Sequence, residues 1–188
     1  MEKKFEKLAK RCRTFCNVYE EGEMKGVEFV MTLLNLEERK HTIVESSESR
    51  ISNSTSLHAF NGLFDLLLMK HDVESDQIFK ALLVLHDSMN DIVIEFSKVL
   101  EEAHEFVRRI GLNALSARDS GISMAQILTI LHHIHIFLTN DLLAKRILMD
   151  SIRNLQQTGP SSSIPTEWLT ISSISLEREK LHLYLSLF

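Results

Sequence analysis

The chain has 188 residues, 44% of them hydrophobic and 25% charged, which suffices for one domain with its own core and no disulfide staples. Its formal net charge of −5 argues against a protein whose main business is coating nucleic acid, and no direct nucleic-acid binding is expected. There are only six Gly and two Pro, and both prolines (Pro160 and Pro165) come late, which favours an all-helical fold.

The first helix is predicted from Glu2 to about Val44. Phe5, Cys12, Tyr19, Gly26, Leu33 and Lys40 recur at seven-residue intervals, and Leu8, Phe15, Gly22, Phe29, Leu36 and Ile43 form a companion row. Two interleaved rows make a seam along which another helix can lie. Gly22 and Gly26 sit on that seam. Each costs about 1 kcal/mol relative to Ala in a helix interior, so they mark either a kink or a close backbone approach. Cys12 and Cys16, the only cysteines, share a helical face with diverging Cβ vectors and are read as small buried hydrophobes in a reducing compartment. Lys3, Lys4, Lys7, Lys10, Arg11 and Arg13 are read as a solvated helix face. No apolar stretch follows them, so no secretory signal is expected. No uninterrupted apolar run approaches the ~20 residues a bilayer span needs, so no membrane association is expected either.

Residues 45–56, rich in Ser, Asn and Thr, are predicted to form an exposed loop. A short helix follows from Leu57 to Lys70, apolar at Phe60, Leu63, Phe64, Leu67 and Leu68. Asp72 to Ser75 is expected to break and cap the chain there, with Asp65, Asp72, Glu74 and Asp76 complementing the dipole of the next helix. That next helix carries the strongest pattern in the sequence. Ile78, Leu82, Leu85, Met89, Ile92, Phe96, Val99, Ala103, Phe106 and Ile110 alternate four- and three-residue steps without a missed beat. Such a helix, roughly 35 residues long, reaches about 50 Å, so the chain is expected to be elongated.

Residues 112–121 form a connector, and Ser123 is a suitable N-cap for a helix reaching about Leu155. Its apolar positions are Ile127, Leu131, Ile134, Leu138, Leu142, Met149 and Ile152. The stretch TGPSSSI at 158–164 is a linker, and a last short helix is predicted from Leu176 to Leu187. Together these predict a single all-α domain over 1–188, an elongated bundle of long antiparallel, coiled-coil-like helices. It divides into a first helix at 1–44, a loop at 45–56, the main core at 57–155, and a linker with a short helix at 156–188.

Chemistry-bearing clusters are sparse. His132, His133 and His135 invite a metal, but His133 points about 100° away from His132 on a helix, and no cysteine lies nearby. No metal or other cofactor is expected. There is no phosphate loop, no HExxH and no GxSxG, and Glu101 with Glu105 lacks the Glu-x-x-His partner of a di-iron bundle. The chain is therefore expected not to be an enzyme. A metal-dependent helical-bundle enzyme remains a lesser alternative. Lys145, Arg146 and Arg153 form a small basic patch that complements a helix C-terminus or contacts phosphate. Trp168, the only tryptophan, anchors a tail to the core or, alternatively, anchors an interface.

Several segments in order resemble the AAA-ATPase-interacting ribosome maturation factor family, AIRIM. They are LHAFNGLFDLL from Leu57, the long helix, GLNAL from Gly111, LLAKRILMDSI from Leu142 and IPTEW from Ile164. The matching positions are Leu57, Ala59, Phe60, Leu143, Lys145, Arg146, Pro165 and Trp168. The TGPSSS linker and the three histidines depart from the family pattern, and before residue 57 only the long amphipathic helix agrees.

The resemblance implies a non-enzymatic adaptor subunit of nucleus and cytoplasm. It would form a heterodimer with a cyclin-dependent-kinase-interacting helical protein. That pair would dock on a type II AAA-ATPase hexamer acting on large ribosomal subunit precursors, with a link to proteostasis on replicating chromatin. Phe60, Leu85, Ile92, Phe96, Lys145, Arg146 and Trp168 are the expected partner-interface residues. The competing expectation is a coiled-coil subunit of a spindle or kinetochore assembly, which would show the same seams.

Overall fold

A computed structural model describes residues 2–51, 61–110, 124–158 and Trp168. It contains three helices, α1 (Glu2–Ile51), α2 (Asn61–Ile110) and α3 (Met124–Thr158), with no strand among the described residues. The all-helical expectation is met. At 50 residues each, α1 and α2 run about 75 Å, longer than the seam alone required.

Contacts across the helices fix their directions. Along α1, Arg11 reaches Glu102, Gly22 faces Met89, and Lys40 reaches Asp72, so α2 runs antiparallel to α1. His86 meets the Leu142 carbonyl, Phe96 stacks on His135, and His104 meets His132 edge to face, so α3 is antiparallel to α2. Tyr19 meets Asp141 and Glu23 meets Lys145, which makes α3 parallel to α1. With Lys145 level with Glu23, the end of α3 at Thr158 falls about level with Leu36. Beyond that point, among the described residues, α1 and α2 continue as a pair. Lys40 Nζ bridges them, 2.9 Å from Glu37 Oε1 and 2.8 Å from Asp72 Oδ1.

The predicted seams form the core. On α2, Leu82, Met89, Phe96, Val99 and Ala103 are buried, while Leu85, Ile92 and Phe106 are half-buried against them. On α1, Leu8, Cys12, Tyr19, Leu33 and Leu36 are buried, and on α3 Ile127, Leu131, Leu138, Leu142, Met149 and Ile152. Each such large apolar side chain contributes about 1.5–3 kcal/mol by leaving water, which is why the helices pair along these rows. Cys12 and Cys16 are buried free thiols. Burial, then the neighbouring Cys16, pushes the Cys12 thiol up to about 12.

Several predicted boundaries are corrected. α1 does not stop near Val44 but continues to Ile51, so residues 45–51 are helix and not loop. α2 is continuous from Asn61, so Asp72 to Ser75 neither breaks nor caps it. That stretch has no Gly or Pro, its acids lie on the exposed and half-exposed side, and Ser75 turns inward with its hydroxyl 3.5 Å from Glu37 Oε1. The acids are interior helix residues: Asp72 pairs with Lys40 across the helices, and Glu74 with Lys70 on its own. Gly22 and Gly26 do not divide α1. They mark close approach. The predicted short helix at Leu176–Leu187, the linker, the connector, Ser123 and residues 52–60 lie outside the described residues.

Candidate functional site

Two apolar clusters occupy the bundle, one around Cys12, Phe96 and Leu131, the other around Leu33, Leu82, Met149 and Trp168. A charged centre lies between them. Lys145, whose side chain is fully buried, donates from Nζ to Glu23 Oε1 at 2.8 Å and to Asp141 Oδ2 in a shorter contact. Tyr19 donates its hydroxyl to the same Asp141 oxygen at 2.7 Å. The Lys145 ammonium also lies 5.8 Å from the ring centroids of both Tyr19 and Trp168, within cation–π range.

The local sequence explains the assembly. Tyr19 and Glu23 are one turn apart on α1, as are Asp141 and Lys145 on α3, so two i,i+4 pairs face each other across parallel helices. Burial pushes the Glu23 carboxyl above its ordinary range; Lys145 pulls it down and Asp141 pushes it up again. Two carboxylates thus share one ammonium, and a proton is more easily kept at Glu23 than in water. Burial, with the charge and hydrogen bond of Asp141, pushes the Tyr19 phenol far up, so it remains a donor. Asp141 Oδ1 and Trp168 Nε1 are buried without a protein hydrogen-bond partner among the described residues. Such a centre adds little net stability, but it pins α3 to α1 at one register.

Trp168 closes this centre. It is 2% exposed, and a Cβ built on Gly26 would lie 2.7 Å from its Cζ2 atom. Only a glycine lets the indole lie this close to α1. Gly22 plays a milder form of the same role, its would-be Cβ being 3.1 Å from Met89 Cγ.

The expected interface residues divide as follows. Phe96, Lys145 and Trp168 are core residues and not surface contacts. Leu85 and Ile92 are half-buried against the first cluster, and Phe60 lies outside the described residues. Arg146 is exposed. The predicted basic patch is therefore corrected: Lys145 faces inward on α3 and Arg146 outward, because consecutive helical residues point about 100° apart. The missed residues are Glu23 and Asp141. Their signal is the empty beat between Leu142 and Met149, where the inward position falls on Lys145.

The histidines do not converge either. His135 stacks on Phe96 at 6.0 Å, with its pKa lowered by burial and by His132, while His132 and His133 are exposed. Among the described residues no three His, Cys, Asp or Glu side chains are placed to hold a metal ion.

Among the described residues, exposed apolar side chains include Met24, Met31, Val84 and Ile94 and two further groups. On the outer side of α3, Ile136, Leu143 and Ile147 are 45%, 61% and 61% exposed. At the two-helix end, Leu66, Met69 and Val73 line a shallow groove on α2 with Lys70, Glu74 and Gln77. Because both its faces are apolar, α3 is the single described helix long and apolar enough, by length and composition, to cross a membrane. Its inner side is nevertheless built into the core around Lys145. No protein-family model matches the chain, and no curated protein is significantly similar to it.

Proposed function

We infer that the chain is a non-enzymatic adaptor subunit. In this reading it pairs with a cyclin-dependent-kinase-interacting helical protein and tethers it to a type II AAA-ATPase during large ribosomal subunit maturation, in nucleus and cytoplasm. One observation carries the reading: apolar surface is left over after the long helices close on each other, on the outer side of α3 and at the two-helix end. Contiguous apolar surface of this kind marks protein contacts. The ordered segments from Leu57 to Trp168 that resemble AIRIM point to the ATPase and to the ribosomal precursor. The buried seat of Trp168 supports a structural role for the Pro-x-x-Trp motif, as the clasp holding the end of the described chain to the bundle. Depleting the protein from cells tests the reading. Large-subunit precursors should accumulate with shuttling factors still bound, and an unchanged precursor profile would refute it.

A further inference from the structure

The outer side of α3 carries a second seam, distinct from the one that faces the core. His133, Ile136, Asn140, Leu143 and Ile147 follow three- and four-residue steps, and all five are exposed. In heptad terms His133, Asn140 and Ile147 occupy a positions, and Ile136 and Leu143 occupy d positions. An Ile or Asn at a with Leu at d is the pattern of a two-stranded helical pair, in which one polar a residue sets register. The flanking g positions are Thr139, Arg146 and Arg153, all exposed, and the opposite flank offers Phe137, Ala144 and Ser151 with no acid.

That charge arrangement decides the occupant. A second copy in parallel would set Asp150, at the next d position, against its own counterpart and would give the arginines no acid to face. An antiparallel copy would set g positions against g positions, which carry only Thr139, Arg146 and Arg153 and again no acid. We propose that the outer seam of α3 docks one helix of a different protein, apolar where it meets Ile136, Leu143 and Ile147, with polar residues facing Asn140 and Asp150 and acidic residues flanking Arg146 and Arg153. This deepens the adaptor reading and rests on it only for the partner being helical; no ATPase is involved.

The probe is a synthetic helix about four heptads long, with Ile at a, Leu at d, one central Asn at a, and Glu at every e and g position. Its glutamates oppose self-association and face the arginines in either orientation. A control peptide carries Lys in their place. Fluorescence anisotropy with the full-length protein should show the Glu peptide binding at least about tenfold tighter than the Lys peptide. Leu143→Asp with Ile147→Asp should abolish binding while the far-ultraviolet circular dichroism stays helical. Arg146→Glu with Arg153→Glu should invert the preference. No binding to the wild-type chain, or equal binding of the two peptides, would overturn the proposal. So would a concentration-dependent dimer that Leu143→Asp dissolves in sedimentation, which would assign the face to a second copy. If the ATPase still co-purifies after any of these failures, the adaptor reading survives and only this surface is wrong.

Discussion

Replacing Lys145 by Met keeps most of the stem and removes the one cation that the described residues place in a centre whose Glu23 and Asp141 side chains are 6% and 0% exposed. Two buried carboxylates then face each other, and the cheapest relief is to protonate one. For a carboxyl of ordinary pKa near 4.3 this costs about 3.7 kcal/mol at neutral pH, at about 1.36 kcal/mol per pH unit. Breaking a buried pair by removing one partner typically costs about 3–5 kcal/mol, so the two routes agree. Lys145→Met should lower stability by about 3–4 kcal/mol near neutral pH, measured by urea unfolding followed by far-ultraviolet circular dichroism. The sign of the pH dependence follows from Glu23. A carboxyl whose folded pKa lies above its unfolded value loses stability as pH rises past the unfolded value, and regains it on acidification. The defect should therefore be smaller at pH 5 than at pH 7. Adding Glu23→Gln and Asp141→Asn to Lys145→Met should recover most of the loss at pH 7. A single variant within about 1 kcal/mol of wild type at both pH values would mean that Lys145 reaches water, and would refute the buried centre.

Further expectations concern the packing. Gly26→Ala should displace the indole of Trp168, lowering stability by about 1–3 kcal/mol and red-shifting the fluorescence of the only tryptophan. Gly22→Ala, facing a Met side chain that can bend, should stay within about 1 kcal/mol of wild type, because helix propensity offsets the contact. Phe96→Ala should cost about 3–5 kcal/mol by thermal or chemical unfolding, and the half-buried Leu85→Ala clearly less. Cys12, its thiol pushed up by burial, should react with a disulfide reagent at pH 8 only as fast as the protein opens, and rapidly in denaturant.

Where apolar periodicity was strong, the fold was legible before any coordinates. The four-three pattern of Ile78–Ile110 placed the buried face of α2, and the paired rows of α1 placed Tyr19, Leu33 and the two glycines on the inner side. It was illegible where composition and packing disagree. Residues 45–51 look like a loop because their serines have weaker helix propensity than Ala or Leu, yet α1 runs through them. Asp72–Ser75 looks like a cap because acids favour helix starts, but nothing in it stops a helix, and Lys40 holds Asp72 from the neighbouring helix α1. The charged centre was hidden because lone charges in sequence read as solvated. Its four members are spread over Tyr19, Glu23, Asp141 and Lys145, and only the pairing of α1 with α3 brings them together. The outer seam of α3 is not legible in the sequence because an inner seam accounts for the apolar residues of a core helix; exposure, not periodicity, separates the two faces.

Native co-purification of the tagged full-length protein, read by mass spectrometry, tests adaptor function most directly. The adaptor reading predicts recovery of a helical partner in equal amount together with a type II AAA-ATPase. Recovery of a stable monomer with no ATPase, or of tubulin-associated proteins in its place, would contradict it.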